Sequence, residues 1–309
     1  MANFSDQLLG AIDDKRSCVC VGIDPNFAML PDAVAGPAER RAGASPRQVI
    51  DAFYKFVIGV LDATAEHACC VKFQSAYFEQ YHAEGVEAYF SLIAEARAKG
   101  LLVIGDVKRG DIGATSEAYA AAHLAPITGD GAADAATPDA ITVNPMLGLD
   151  TLEPFAQAAQ RHGKGLFVLV RTSNPGSADL QDVALADGRT WSEALADRLN
   201  DLAQQHVGER GYSALGAVVG ATQGHTMTSL RRRLPRSVFL LPGYGTQGAT
   251  AEMTRAAFDE AGHGAIVSAS RSVLYPTPEP GEDWKSAIAR AAREMKEALQ
   301  RVTGVSQAG

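Results

Sequence analysis

Cysteine, paired histidines and long apolar runs are all scarce in this 309-residue chain. Its four cysteines, at positions 18, 20, 69 and 70, lie inside apolar segments without the spacing of a metal site, which indicates small buried side chains. None of the seven histidines forms the His-x-x-x-His pair of a zinc-binding helix. The Gly-x-Ser-x-Gly motif of a nucleophilic serine is also absent.

Membrane and nucleic-acid signals are missing as well. No apolar stretch approaches the ~18 residues of a membrane span, and no basic-plus-apolar segment opens the chain, so we expect a cytoplasmic protein. The net charge of −8, with no basic run beyond residues 231–233, argues against a nucleic-acid partner. A small anionic substrate remains compatible, because a few cations in a cleft set the local potential.

The apolar pattern predicts the fold. Hydrophobic residues make up 46% of the chain, enough for a sizeable core. Helical patterns alternate with eight short apolar runs, at 18–24, 69–74, 101–108, 140–145, 165–172, 215–220, 238–243 and 264–270. This order predicts parallel strands that close into an α/β fold of the (β/α)8 TIM barrel type, with 1–309 as a single domain. A doubly wound open sheet is the alternative.

The connecting segments differ in composition. Residues 47–66 place apolar side chains at helical spacing and predict a helix packed against the sheet. Segments near 25–46, 128–139 and 173–190 contain many turn-forming residues, which predicts surface-loop insertions. The last segment leaves the carboxyl end of the fifth strand, a suitable origin for a lid over a site.

The segment 105–115, Gly-Asp-Val-Lys-Arg-Gly-Asp-Ile-Gly-Ala-Thr, is the strongest chemical signal. It follows an apolar strand, so Asp106 and Lys108 would project from the same face, while Gly110 allows a turn that brings Asp111 round. A second lysine, Lys72, ends the preceding apolar run in the same way. Because barrel enzymes place catalytic groups at the carboxyl ends of strands, these residues predict a charged catalytic cluster.

The ends of the seventh and eighth strands predict a phosphate site. Gly243 begins one glycine-rich loop, and Ser270 and Arg271 begin the next, where backbone N–H groups and an arginine suit an anion. Gly243, Gly245 and Gly248 also match Gly-x-Gly-x-x-Gly, but a dinucleotide fingerprint should follow the first strand of its unit. We therefore expect a phosphorylated substrate and no dinucleotide cofactor.

Taken together, five motifs resemble the orotidine 5′-phosphate decarboxylase family, in its larger bacterial branch (type 2). They are Gly-Ile-Asp-Pro, Val-Lys-Phe-Gln, Asp-Val-Lys-Arg-Gly-Asp-Ile-Gly-Ala-Thr, Ser-Asn-Pro-Gly and Pro-Gly-Tyr-Gly-Thr-Gln-Gly. The resemblance implies a carboxy-lyase that converts orotidine 5′-phosphate to uridine 5′-phosphate (UMP) and CO2, the last step of de novo pyrimidine nucleotide biosynthesis. We expect no metal or cofactor to take part, because a fixed cation at Lys72 would oppose a divalent ion.

By the same resemblance, the catalytic chain is Lys72, Asp106, Lys108 and Asp111. Asp111 would come from a neighbouring subunit, which implies a homodimer. Lys108 would stabilise the carbanion that forms at C6 and then donate the proton, while Asp106 would lie near the departing carboxylate. A buried network of two lysines and two aspartates is tolerable only when every charge is paired.

The resemblance also implies the substrate contacts. Asp24 and Thr115 would contact ribose hydroxyls, with Thr115 reaching across from the partner subunit. Ser173 would bind the amide edge of the pyrimidine. Gln247 and Arg271 would hold the phosphate.

Three other functions remain open from the sequence. The first is a metal-dependent sugar-phosphate decarboxylase or aldolase of the same superfamily, although a cation at Lys72 opposes a divalent ion. The second uses Lys72 or Lys108 as a Schiff-base lysine. The third is a non-catalytic barrel that binds a nucleotide phosphate, which would bind UMP and leave orotidine 5′-phosphate unchanged.

Overall fold

A computed structural model of the chain describes residues 2–36, 43–126, 136–222, 224–246 and 248–304. Its eight parallel strands pair in sequence order, and the last pairs with the first to close a barrel. The predicted (β/α)8 barrel is confirmed, and every observed strand end lies within two residues of its predicted position; the open-sheet alternative is wrong. The strands are β1 Val19–Ile23, β2 Cys70–Gln74, β3 Leu102–Arg109, β4 Ala140–Val143, β5 Gly165–Arg171, β6 Ser213–Val219, β7 Ser237–Pro242 and β8 Ala265–Ala269.

Helices connect the strands and surround the barrel. Within the described ranges the α-helices are α1 Phe4–Lys15, α2 Pro46–Thr64, α3 Ala76–Glu79, α4 His82–Ala98, α5 Gly113–Leu124, α6 Glu153–His162, α7 Ala178–Gln181, α8 Trp191–Ala203, α9 Gly224–Arg233, α10 Ala251–Thr254, α11 Arg271–Leu274 and α12 Trp284–Thr303. Short 3₁₀ helices occupy Phe27–Met29, Leu149–Leu152, Pro175–Ser177, Gln204–His206 and Arg255–Ala257.

Helix α2 corresponds to the helix predicted over 47–66. It begins with a capping box, in which the Ser45 and Gln48 side chains each accept from the other's backbone N–H, and Pro46 occupies the first turn. One face is buried against the barrel, because its apolar residues recur every three or four positions. The large buried side chains of that face are Val49, Ile50, Phe53, Phe56, Val57, Val60 and Leu61.

Alternation along β2 decides which side chains reach the barrel interior. Phe73 packs against Phe78 and Tyr89 of the surrounding helices, with ring centroids 6.1 and 6.2 Å away, so it points outward. Its neighbours Lys72 and Gln74 therefore point inward, because successive strand residues face opposite sides. The main apolar core lies between strands and helices, and the polar end of the interior is left for a site.

The segments predicted as surface-loop insertions contain regular structure and buried residues as well as loops. The segment 173–190 contains a 3₁₀ turn, helix α7 and an isolated bridge between Ala184 and Thr190. The segment 128–139 is not a surface loop at its end: Thr137 and Asp139 are buried, and Asp139 Oδ2 accepts the Val103 N–H at 2.8 Å. This contact exists because the segment runs directly into β4. Residues 37–42 and 127–135 lie outside the described residues, and the single-domain assignment stays a prediction.

Candidate active site

A cluster of alternating charge lies inside the barrel at the carboxyl ends of β2 and β3. The register pairs Gln74 with Asp106, which brings Lys72 of β2 beside the Asp106 carboxylate. Lys72 Nζ donates to Asp106 Oδ2 at 2.8 Å, and Lys108 Nζ donates to Oδ1 at 2.6 Å. The structure therefore brings together three of the four residues predicted for the catalytic chain.

Burial distinguishes the two lysines. The Lys72 side chain is 8% exposed, whereas that of Lys108 is 46% exposed. Burial lowers the pKa of Lys72, but the negative charges of Asp106 and Asp24 outweigh it and hold this pKa above its usual value. Burial likewise raises the pKa of Asp106, but Lys72 and Lys108 outweigh it and hold this pKa well below its usual range. Asp106 and Lys72 are therefore both charged at neutral pH.

Two residues that the sequence reasoning missed complete the carboxylate's partners. Gln74 Nε2 donates to Asp106 Oδ2 at 3.1 Å, and Thr142 Oγ1 donates to Oδ1 at 2.9 Å. Each carboxylate oxygen thus accepts two hydrogen bonds. Strand alternation would have found Gln74, two residues after Lys72, and Thr142 is the polar residue of the buried strand β4.

The first cavity, of about 540 Å³, opens beside this cluster. Ser173 lies on its wall, and a Cβ on Gly220 would lie only 3.0 Å from the Ser173 backbone, so glycine permits this close approach. The cavity combines the charged groups with a mainly apolar wall, which suits a flat ring that carries a few polar atoms. The apolar wall residues are Pro145, Met146, Leu169, Leu180, Trp191, Val218, Leu240 and Pro242.

The second cavity, of about 550 Å³, shares Lys72 and Asp106 with the first. Four residues predicted to bind substrate line it: Asp24, Gly243, Ser270 and Arg271. Among the described residues, buried Asp24 Oδ1 has no hydrogen-bond partner, as expected of an acceptor that awaits a ligand hydroxyl. A Cβ on Gly22 would lie 2.0 Å from Ser270 Oγ, so glycine in β1 makes room for this loop.

Tyr275, also missed by the sequence reasoning, joins two loops at the second cavity. Its hydroxyl accepts the Asn26 N–H at 2.8 Å, and its ring stacks on Phe56 with centroids 5.6 Å apart. The residue follows the short helix α11, which begins at Arg271. It thereby fixes the loop after β1 against the loop after β8, on either side of the cavity.

Two residues predicted for the site, Asp111 and Thr115, do not line these cavities. Asp111 and Thr115 lie at the start of α5, where Asp111 Oδ1 accepts the Ile112 N–H at 2.8 Å and Thr115 is exposed. Neither of them belongs to the lining of either cavity. Gln247 lies outside the described residues.

Within the described part of the chain, no group of three or more His, Cys, Asp or Glu side chains is placed to hold a metal ion. No helix there has the length and apolar character required to cross a membrane.

Comparison with known proteins gives concordant matches. The profile of the orotidine 5′-phosphate decarboxylase / HUMPS family matches residues 18–287. An orotidine 5′-phosphate decarboxylase of Rhodopirellula baltica is 38% identical over 307 residues, covering 97% of this chain and 100% of that protein. One from Caldicellulosiruptor bescii is 36% identical over 97% of this chain and 98% of its own. The structure of Leishmania donovani OMP decarboxylase has a TM-score of 0.73 at 28% identity, covering 98% and 99% of the two chains.

Proposed function

This chain belongs to the orotidine 5′-phosphate decarboxylase family and converts orotidine 5′-phosphate to UMP and CO2; we propose that Lys72, Asp106 and Lys108 carry out this reaction. One observation carries the proposal. The Lys72–Asp106–Lys108 chain, with contacts of 2.8 and 2.6 Å, lies where two cavities meet. A substrate with a ring on one side and a phosphorylated sugar on the other would place its reacting carbon there.

Lys108 is the better proton donor of the two lysines. Lys72 is buried, and the charges of Asp106 and Asp24 stabilise its protonated form. Lys108 is half-exposed and lines the first cavity, so its ammonium is accessible to a bound ring. In this assignment Lys72 is a fixed charge that keeps Asp106 ionised and in place.

In the proposed reaction the substrate loses CO2 and its C6 atom gains a proton. The bond between C6 and the carboxylate carbon breaks, CO2 leaves, and the electron pair remains on C6. The Lys108 ammonium stabilises this pair and transfers a proton to C6, after which solvent reprotonates the amine. Asp106 lies on the same side, and the apolar wall beside it disfavours a charged carboxylate relative to neutral CO2.

The remaining contacts follow from the two cavities. Ser173 would bind the amide edge of the pyrimidine in the first cavity. Asp24 would accept a ribose hydroxyl with its unpartnered oxygen in the second. Arg271, with the backbone around Gly243 and Ser270, would hold the phosphate, and Gln247 would assist it.

The proposal includes a homodimer in which Asp111 and Thr115 complete the partner's site. Ile112, which caps α5, is 63% exposed, and Thr115 and Tyr119 lie one turn apart on an exposed face at the start of that helix. Met146 and Leu147, both 56% exposed, follow β4. Exposed apolar side chains of this size favour burial against a second copy of the chain.

A cytoplasmic, metal-free enzyme also fits these features. All four cysteines are free and buried, as is typical of proteins kept in a reducing compartment. The Asp106 oxygens are fully occupied by side-chain donors, two of them cationic, so the carboxylate is poorly suited to bind a metal ion. The comparisons do not support the sugar-phosphate, Schiff-base or non-catalytic alternatives.

The direct test follows the absorbance change as orotidine 5′-phosphate becomes UMP, with purified protein, in the presence and absence of a chelator. We expect turnover that resists the chelator. Chelator-sensitive turnover would indicate a metal-dependent mechanism. Tight binding of UMP by folded protein without any turnover would indicate the non-catalytic alternative.

A further inference from the structure

Thr142 is the only neutral side chain among the described residues that hydrogen-bonds to both the Asp106 carboxylate and the backbone of Lys108, the proposed catalytic lysine. It lies in β4, is 1% exposed and lines the first cavity. Its Oγ1 accepts the Lys108 backbone N–H at 2.9 Å and donates to Asp106 Oδ1, also at 2.9 Å. The first bond fixes the direction of the second, because the amide can only donate and the ionised carboxylate can only accept.

The backbone of Lys108 requires such a partner. Its φ angle is 45°, in the left-handed region that costs a residue with a side chain on the order of 1 kcal/mol. The register between β3 and β4 also shifts between Gly105 and Arg109, so Lys108 lies in an irregular stretch of the ladder. The Thr142 hydroxyl thus takes the position of a ladder acceptor and holds an otherwise unfavourable backbone conformation.

This backbone conformation places the Lys108 ammonium. The Lys108 Nζ lies 2.6 Å from Asp106 Oδ1, the same oxygen that Thr142 contacts. One hydroxyl therefore fixes both the direction in which the Lys108 side chain leaves its strand and the orientation of the Asp106 carboxylate that accepts its hydrogen bond. A valine in its place would have nearly the same shape but could neither accept nor donate.

We propose that Thr142 is a positioning residue for the proton-donating lysine, an inference that rests on the proposed function. It does not exchange a proton with substrate. During the reaction Lys108 becomes neutral and its attraction to Asp106 weakens. The Thr142 hydrogen bonds do not depend on that charge, so they keep the amine in place until it is reprotonated.

The test compares Thr142→Val with Thr142→Ser, which keeps the hydroxyl and loses only a methyl group. For T142V we expect kcat to fall roughly 10- to 100-fold with KM and UMP affinity within about threefold of wild type, because misplacement changes the transition state more than binding. For T142S we expect kcat within about threefold of wild type. Thermal melting of each variant checks that the fold is kept, and Thr142→Ala serves if the valine variant does not fold.

The outcomes separate the inference from the proposed function. If wild-type protein turns over substrate and the folded valine or alanine variant retains its kcat, the inference is overturned. It is also overturned if the serine variant loses as much kcat as the valine variant, because the hydroxyl would then not be responsible. A folded wild-type protein without turnover would overturn the proposed function and this inference with it.

Discussion

Arg171 and Asp182 form two parallel hydrogen bonds, Nε to Oδ1 and Nη2 to Oδ2, each 2.8 Å long. The arginine ends β5 and its side chain is 3% exposed, while the aspartate lies eleven residues later in the segment that follows. Arg171 Nη1 also donates to the Thr172 carbonyl at 2.7 Å and to the Ser177 hydroxyl. A buried guanidinium therefore fixes both ends of the loop that carries Ser173.

Asp182→Asn should loosen this loop and leave the buried guanidinium without its counter-ion. We expect the free energy of unfolding to fall by about 3 kcal/mol, since an unpaired buried charge is costly. KM for orotidine 5′-phosphate should rise roughly tenfold with a smaller change in kcat, because the proposed function assigns Ser173 to the ring and not to the reacting carbon. Urea denaturation and steady-state kinetics measure the two effects. Asp179→Asn, an exposed change in the same loop, is the matched control. Equal behaviour of both variants would contradict a role of the Arg171–Asp182 ion pair in holding the loop.

The shared site of the proposed homodimer predicts complementation between two inactive variants. Lys108→Ala should abolish turnover while UMP still binds, and Asp111→Ala should also be inactive. When the two variants are combined 1:1 and allowed to exchange subunits, half of the dimers contain one subunit of each. Each of these mixed dimers has one site with both residues intact. Activity should then return to about a quarter of the wild-type value. Recovery of no activity, with exchange verified, would show that Asp111 does not act across subunits.

Arg271→Ala should weaken binding through the phosphate alone. We expect KM for orotidine 5′-phosphate to rise roughly 100-fold, about 2.7 kcal/mol of lost binding. Orotidine, which lacks the phosphate, should react equally slowly with wild-type and variant enzyme, because the missing contact has no partner in that substrate. A variant that also slows the reaction of orotidine would place Arg271 elsewhere in the mechanism.

His123 should make the fold sensitive to moderate acid. Burial lowers its pKa to about 4, against about 6.5 for a free histidine. Between these values the unfolded chain binds a proton that the folded chain does not, so stability is lost as pH falls from about 6.5 towards 4, by up to about 3 kcal/mol. Urea denaturation at pH 7, 5.5 and 4.5 measures this loss. His123→Phe should reduce it, and an unchanged pH dependence would assign the acid sensitivity to other groups.

The strands and the charged cluster were predictable because both depend on local pattern. Short apolar runs located all eight strands within two residues, since each strand is buried and bounded by polar turns. Parallel strands end at one rim, so Lys72, Asp106 and Lys108 were expected near one another, and the structure places them in contact. The chemistry was predicted from the five motifs that resemble the orotidine 5′-phosphate decarboxylase family, because a cluster of charges does not by itself define a reaction.

The partners of these groups were not predictable, because they depend on register and backbone angles. The assignment of one lysine to each Asp106 oxygen requires the β2–β3 register. The role of Thr142 requires the left-handed backbone of Lys108 and the shifted β3–β4 pairing. The burial of Asp139 was missed for a related reason. The segment 128–139 has the composition of a loop, but Asp139 at its end contacts Val103 of β3, as a residue of β4 would.

The four hydrogen bonds to Asp106 also join three neighbouring strands, because their donors come from β2, β3 and β4. The carboxylate thus links side chains of these three strands at the end of the barrel where backbone pairing stops and the loops diverge. The charge that we propose for catalysis and the local rigidity of the barrel therefore depend on the same atoms. A substitution made at Asp106 to study the chemistry would also remove these hydrogen bonds between strands. Its loss of activity therefore has to be compared with the unfolding and amide-exchange behaviour of the same variant.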